Sequence, residues 1–379
     1  MAGSIQAGAV EGRIARVREM MGERGYDAVV VRDEANLRWL TGADGVFDYT
    51  YEFPHAAFVT ADALFLHTDS RYYNTFVEHL GPDTPWQLDQ EVIAIPRWTI
   101  ERARDCRART VAVEDSMQLS FFSGMQRAAE DLSLAVAFPQ MHNDIVRMRA
   151  VKDAEEIALM REAQKITDAA FEHICGFIRP GLTEKEVKTE LESFMQSHGS
   201  DGLAFSTIVA SGPNTANNHA IPSDRVICRG DFVLMDYGAA YHDYRSDMTR
   251  TVVVGEPSDE QRRIYECVRR AHEEAAAAIR PGVSSIDVHN VAERVLEECG
   301  FAGRMGHSLG HGVGIDIHEQ PYMGARRGEE FKPGHVVTVE PGVYLPGVGG
   351  LRREDYGEVT EDGFEPFTAS THELVVIDC

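Results

Sequence analysis

Gly230-Asp231-Phe232-Val233-Leu234-Met235-Asp236-Tyr237-Gly238 returns 104 residues later as Gly334-His335-Val336-Val337-Thr338-Val339-Glu340-Pro341-Gly342. Each copy opens on a turn glycine, runs through a short apolar stretch and meets a carboxylate. Short apolar runs bounded by glycine read as buried strands. On this reading Asp236 ends the strand Phe232 to Met235, and Glu340 ends Val336 to Val339. The repetition extends outward. Ile178-Arg179-Pro180-Gly181 matches Ile279-Arg280-Pro281-Gly282, and Thr183, Val187 and Gly199 match Ser284, Val288 and Gly300, all at an offset of 101. His219-Ala220-Ile221-Pro222 resembles His318-Glu319-Gln320-Pro321 at 99, and Arg245-Ser246-Asp247 resembles Arg352-Arg353-Glu354 at 107. Two copies are too few for a solenoid, which needs at least about three. A closed domain with an internal pseudo-twofold duplication is the expected architecture.

The repeats are built of helices and strands. Lys152 to Ile178 has a helical apolar face of Met160, Ala163, Ala170, Phe171 and Ile174, and Arg179-Pro180-Gly181 ends it. Thr183-Glu184-Lys185-Glu186 is a capping box for a second helix, with Val187, Leu191 and Phe194 inward, that stops before Gly199. The chain before this point reads differently. Val10 to Arg24 reads as a helix stopped by Gly25. Ala28 to Val31 is a buried strand, Ala56–Val59 and Ala63–His67 are paired strands about Thr60-Ala61-Asp62, and Val111 to Val113 is another strand. The fold class is therefore α/β. An N-terminal mixed-sheet α/β domain at 1–145 precedes a C-terminal α+β domain at 146–379 that contains the duplication. The first domain has no phosphate-binding glycine loop and no His/Cys cluster, so it is assigned no chemistry.

With 37 Lys+Arg against 61 Asp+Glu, the net charge is 37 − 61 = −24. That excludes broad nucleic-acid or anionic-membrane binding, which needs basic surface. The six cysteines (Cys106, Cys175, Cys228, Cys267, Cys299, Cys379) are scattered without C-x-x-C spacing, as expected of reduced thiols. Met1 to Val10 lacks a secretory h-region, and no apolar run is long enough to span a membrane. The expected location is cytoplasmic.

The chemistry sits where the repeats match. Structural pressure alone preserves mainly glycine, proline and apolar positions. Here His219 matches His318, Asp236 matches Glu340, and Asp247 matches Glu354. A carboxylate at the end of a buried strand is costly unless it is paired. Four carboxylates brought to one axis would repel, and two divalent ions would balance their charge. A bridging hydroxide is then the expected nucleophile. His311, in Leu309-Gly310-His311-Gly312-Val313-Gly314, has no ionisable counterpart, since its equivalents fall on Ser211-Gly212. It breaks the symmetry, as a single nitrogen ligand on one of the two metals would. One imidazole among oxygen donors suits Mn²⁺, Fe²⁺ or Co²⁺ better than a structural Zn²⁺ site.

These motifs resemble the pita-bread superfamily of methionine aminopeptidase, Xaa-Pro aminopeptidase, prolidase and creatinase, over nearly the whole chain. The blocks that carry the resemblance are Ile208 to Gly212, His219-Ala220, Asp236-Tyr237-Gly238, Ser246 to Thr251, His307 to Glu319, Val339 to Gly342 and Gly350 to Asp355. Asn36 to Gly42 and Asp69-Ser70-Arg71-Tyr72 match a creatinase-type N-terminal domain, which methionine aminopeptidases lack. The resemblance implies that Asp247 and Glu354 bridge two metals. Asp236 would chelate one, and His311 and Glu340 the other. Glu340 would also shuttle a proton. It implies that His219 and His318 flank the scissile amide, and that His307 and Arg352 bind the leaving side and a substrate carboxylate. Arg352 is alternatively a partner of Glu354. The implied cofactor is a pair of Mn²⁺ ions, with Co²⁺, Fe²⁺ or Zn²⁺ as alternatives. The implied partners are a short proline-containing peptide and a second copy in a homodimer.

The expected activity is hydrolysis of the Xaa-Pro bond by a metal-bridging hydroxide, as dipeptidase or aminopeptidase. A metal-dependent hydrolase or lyase of a small non-peptide substrate is the alternative, and a non-catalytic binding protein the third reading. Two positions depart from the family: Asn218, where proline commonly precedes the histidine, and Arg353, where an aliphatic residue is common. Neither removes a ligand, and both bear on substrate specificity.

Overall fold

The computed structural model describes residues 7–46 and 54–378. Met1 to Gln6 and Cys379 lie outside them, so part of the leader reading and one of the six thiols have no structural counterpart here. By packing, the chain divides into two units between Arg149 and Ala150.

In the first unit the helix α1 (Ala7–Arg24) stops at Gly25, whose φ of 70° only glycine adopts cheaply. The strands are β1 (Ala28–Val31), β2 (Ala56–Thr60), β3 (Leu64–His67), β4 (Trp86–Asp89) and β5 (Val111–Val113). They form one sheet in the order β4-β3-β2-β1-β5. It is mixed, as expected: β1–β2 and β2–β3 are antiparallel, β3–β4 and β1–β5 parallel. The Asn36 to Thr41 phrase lies buried in the helix Glu34–Thr41, where the Asn36 amide donates to Glu114 Oε1 at 2.8 Å.

The second unit carries the duplication. Helices α2 (Ala154–Phe177) and α3 (Glu184–Ser197) form the first pair, α4 (Asp259–Ala278) and α5 (Ser285–Glu298) the second. Asp153 and Thr183 close capping boxes at the starts of α2 and α3. The α3 face differs by one residue from expectation. Met195 completes the buried stripe, while Phe194 is half-buried and stacks between His173 and His198.

Each helix pair is followed by a sheet. The first sheet holds β6 (Ile208–Ser211), β7 (Phe232–Tyr237) and β8 (Met248–Val254). The second holds β9 (Gly310–Gly312), β10 (Glu319–Met323), β11 (Val336–Val339), β12 (Asp355–Val359) and β13 (Phe364–Pro366). The final strand β14 (Val376–Ile377) returns to the first sheet beside β8. The orders are β14-β8-β7-β6 and β10-β9-β11-β12-β13. Thus β6-β7-β8 has its counterpart in β9-β11-β12. Each repeat has its own apolar core between helices and sheet, with Val187, Leu191, Val233 and Met235 in one and Val288, Ala292, Val337 and Val339 in the other.

The register refines the repeat. Met235 lies opposite Arg250, and Val339 opposite Asp355. Asp355 is therefore the counterpart of Arg250, and Glu354 that of Thr249. Asp247 lies two residues before Thr249, directly ahead of β8, and both Asp247 and Glu354 line the cleft. Likewise Ser211 faces Val233 as Gly312 faces Val337, so the counterpart of His311 is Ala210, one residue earlier than the sequence offset indicates. Asp236 is inside its strand rather than at its end, because pairing with Ile208 and Thr249 continues past it to Tyr237.

Candidate metal centre

Asp236 projects from β7. Asp247 directly precedes β8, Glu354 directly precedes β12, and Glu340 directly follows β11. His311 is the middle residue of β9. Its neighbours must be small. A Cβ on Gly310 would stand 2.2 Å from the Thr338 carbonyl oxygen, and one on Gly312 2.1 Å from that of Gln320. The glycines let three strands close around the imidazole.

All nine residues singled out from the sequence (His219, Asp236, Asp247, His307, His311, His318, Glu340, Arg352, Glu354) line one cleft of about 340 Å³, beside Phe205, Ser206, Ile208, Asn218, Ser308 and Ile317. Asp247, His311 and Glu354 each bring a ligand atom within 4.8 Å of the other two. His311 Nε2 stands 3.6 Å from Asp247 Oδ2 and 3.4 Å from Glu340 Oε1. The other imidazole nitrogen, Nδ1, lies 3.1 Å from the Gly312 carbonyl oxygen. A proton on Nδ1 donated to that carbonyl leaves the Nε2 lone pair facing the carboxylates. Burial, reinforced by His318, lowers the His311 pKa to about 3, so the ring is neutral.

The carboxyls are crowded. Burial first, then the charges of Asp236 and Glu340, push Asp247 well above the carboxylate range. Burial, then Asp247 and Glu340, do the same to Glu354. Burial raises Glu340 to about 8 although Arg352 pulls it down. Arg352 bonds Asp236 Oδ2, and Thr249 Oγ1 donates to Glu354 Oε2 at 2.7 Å. Asp236 Oδ1 is buried with no hydrogen-bond partner. An orphaned carboxylate oxygen beside three carboxyls that resist ionisation lacks positive charge, and divalent ions supply it. The donor set of four carboxylates and one neutral imidazole suits such ions.

Arg352, on the hairpin Gly342–Leu345/Gly349–Arg352, uses every guanidinium nitrogen. Nε donates to Thr249 Oγ1 (3.0 Å), Nη1 to Tyr344 Oη (2.8 Å) and the Asn218 carbonyl (3.2 Å), and Nη2 to Asp236. These bonds tie it directly to Asp236 and, through Thr249, to Glu354. Tyr344 was not singled out from the sequence. Its hydroxyl sits between Arg352 and His307 Nε2, the latter at 3.0 Å. Thr249 and Thr338 were also missed. Thr338 Oγ1 accepts from the His311 amide at 3.1 Å. The available signal was a hydroxyl in an otherwise apolar strand, Val336-Val337-Thr338-Val339. His318 packs edge-on to His311 with ring centroids 4.4 Å apart. Burial lowers the pKa of His318, and that of His307 to about 4.

The two departures act differently. Asn218 lines the cleft. Arg353 lies in the two-residue link between the hairpin strand Gly349–Arg352 and β12, does not line the cleft, is 2% exposed, and none of its three guanidinium nitrogens has a hydrogen-bond partner. Arg250, Asp355 and Glu273 are its charged neighbours. Replacing Arg353 by Leu is expected to stabilise the protein by about 1–3 kcal/mol, since an unbonded buried cation gives way to apolar packing while Asp355 keeps Arg250. Denaturant melts of both forms check this, and a lower midpoint for the variant contradicts it.

Residues 158–361 match the model of metallopeptidase family M24, and residues 13–151 that of the creatinase/prolidase N-terminal domain. The Xaa-Pro dipeptidase of Pyrococcus horikoshii is 30% identical over 371 residues, 96% of this chain and 98% of that protein. Among solved structures, an Xaa-Pro dipeptidase from Bacillus anthracis superposes with a TM-score of 0.89 at 34% identity, covering 97% of this chain and 99% of the other. An X-Pro aminopeptidase from Thermotoga maritima does so at 0.85 and 31%, covering 96% and 100%. No helix among the described residues is long and apolar enough to cross a membrane.

Proposed function

Because the chain belongs to metallopeptidase family M24, we propose that it hydrolyses the Xaa-Pro bond of dipeptides or short peptides, with the chemistry carried by residues 146–379. The observation that carries this reading is the convergence of Asp247, His311 and Glu354 beside the orphaned oxygen of Asp236. The proline specificity rests on the relatives named for it.

Asp247 and Glu354 are the proposed bridging ligands, with Asp236 completing one ion's shell and His311 and Glu340 the other's. Two divalent ions, Mn²⁺ in the proposed form, would acidify a water for attack and polarise the scissile carbonyl. Glu340 is the proposed proton shuttle, taking a proton from the water and returning it to the leaving nitrogen. His318 is kept neutral by burial, so its N–H can donate a hydrogen bond rather than a charge. His219 and His318 divide two tasks between them, stabilising the carbonyl oxygen and assisting the leaving nitrogen. His307, tied to Tyr344, walls the cleft. A cytoplasmic homodimer is the proposed form of the enzyme.

Ala-Pro, Gly-Pro and Ala-Pro-Gly, incubated with the Mn²⁺-loaded protein and with chelator, test this. Hydrolysis of Ala-Pro that chelator abolishes is expected. A protein that binds Mn²⁺ yet cleaves none of these peptides is not an Xaa-Pro peptidase.

A further inference from the structure

Lys152 and Glu319 form a buried ion pair outside the cleft, their side chains 1% and 3% exposed. The ammonium donates to Glu319 Oε1. Lys152 is held from its own side, since its backbone amide donates to the Gly334 carbonyl at 2.8 Å and Val151 bridges to His335. A buried ion pair is seldom a net source of stability, so a specific geometric role is the alternative.

The geometry shows such a role. Glu319 opens β10, and His318 directly precedes it. Along β10, Glu319, Pro321 and Met323 are buried while Gln320 and Tyr322 are half-buried. His318 is the last residue of the bend that leads into β10, and it lines the cleft while its neighbour Glu319 is drawn inward to Lys152. The loop between His311 and His318 is held from its other side as well. The Arg245 amide donates to the Gly314 carbonyl at 3.0 Å, and its Nε to that of Ile315 at 2.7 Å. Glu319 lies so close beneath this loop that a Cβ on Gly314 would stand 2.2 Å from its Oε1.

We propose that Lys152 and Glu319 are positioning residues for His318: the buried ion pair fixes the register of β10 and so aims the imidazole at the scissile amide. The inference rests on the reading of His318 as a residue that touches substrate. A misplacement of about 1 Å can cost about 10²-fold in rate.

The test measures Ala-Pro hydrolysis and metal content in Lys152→Met, Lys152→Arg, Glu319→Gln, His318→Ala and the double variant Lys152→Met/His318→Ala. Lys152→Met is expected to lower kcat by about 10–100-fold, with KM within about twofold and metal content unchanged. Lys152→Arg should recover most of that loss. In the His318→Ala background, Lys152→Met should add less than about threefold, because both changes remove one function. Glu319→Gln keeps an acceptor for Lys152, so it folds if Lys152→Met does not, and it should show a smaller loss with the same non-additivity. Losses that multiply with His318→Ala, a change confined to KM, or loss of metal would overturn the inference. If His318→Ala itself leaves hydrolysis intact, the assignment of His318 falls instead.

Discussion

Glu354→Gln is expected to lower kcat/KM for Ala-Pro by at least about 10³-fold, or ~4 kcal/mol of transition-state stabilisation. The substitution keeps the volume and an acceptor for Thr249 Oγ1, so the cross-repeat bond at 2.7 Å can survive. What it removes is charge. Glu354 is 2% exposed and one of three residues whose ligand atoms lie within 4.8 Å of one another. A neutral amide there weakens the hold on both ions if Glu354 bridges them. A second signature separates a ligand from a merely structural residue. In the presence of chelator the variant should be more stable than the parent, because one of the crowded carboxyls has gone. Elemental analysis, a rate assay and paired thermal melts read all three effects. A variant that keeps more than about a tenth of the activity, or that loses activity with its metal complement intact, defeats the ligand assignment.

Removing the metals from the unaltered protein should make its stability depend on pH in an unusual direction. Without cations, Glu340 holds its proton to about pH 8, and Asp247 and Glu354 are likewise displaced upward. In the unfolded chain these groups release their protons near the ordinary carboxyl values of ~4. Between those limits the folded state binds more protons than the unfolded state, so stability falls as pH rises. The contribution is intact below about pH 4 and is lost as pH climbs through about 8. Divalent ions remove the penalty by pairing with the ionised carboxylates. The melting temperature of metal-loaded protein minus that of chelated protein should therefore widen by about 5–10 °C from pH 5 to pH 8. Calorimetry with and without chelator at both values checks this. A gap that stays flat or narrows would mean that the carboxyls are not desolvated together.

The site was legible because duplication doubles each signal. Asp236 and Glu340 stand at one offset behind matching apolar runs, and that pattern is visible without coordinates. What sequence offsets cannot carry is strand register. They pair Glu354 with Asp247, whereas hydrogen bonding pairs it with Thr249. A slip of two residues preserves the face, so both carboxylates still reach the cleft, and the text of the sequence hides the difference. Tyr344 escaped notice for another reason. Its role depends on a hairpin that turns its hydroxyl between His307 and Arg352, and neither spacing nor composition marks such a turn. The destination of Arg353 was equally hidden. Beside Arg352 in the chain it suggested an influence on substrate, yet in the link between two strands it is buried near Arg250 and Asp355 and does not line the cleft. Four of the five strands of the first unit's sheet, by contrast, followed from short apolar runs, which are local signals; β4, with the polar pattern Trp86-Gln87-Leu88-Asp89, carries no such run.

The two repeats are joined where β8 meets the segment Arg352 to Asp355. The Glu354 amide donates to the Thr249 carbonyl at 3.1 Å, Arg250 reaches the Glu354 carbonyl and Asp355 at 2.6 Å each, and Thr251 Oγ1 donates to the Arg352 carbonyl at 3.0 Å. Every one of these bonds runs from one copy to the other. A chain cut between β8 and α4 would leave one fragment with His219, Asp236 and Asp247, and another with His311, His318, Glu340 and Glu354. The cut would also separate the two members of the buried Arg250–Asp355 ion pair, which spans the copies. The duplicated domain is thus a heterodimer written on a single chain, and it is the covalent link between its halves that keeps their unequal contributions in a fixed one-to-one ratio.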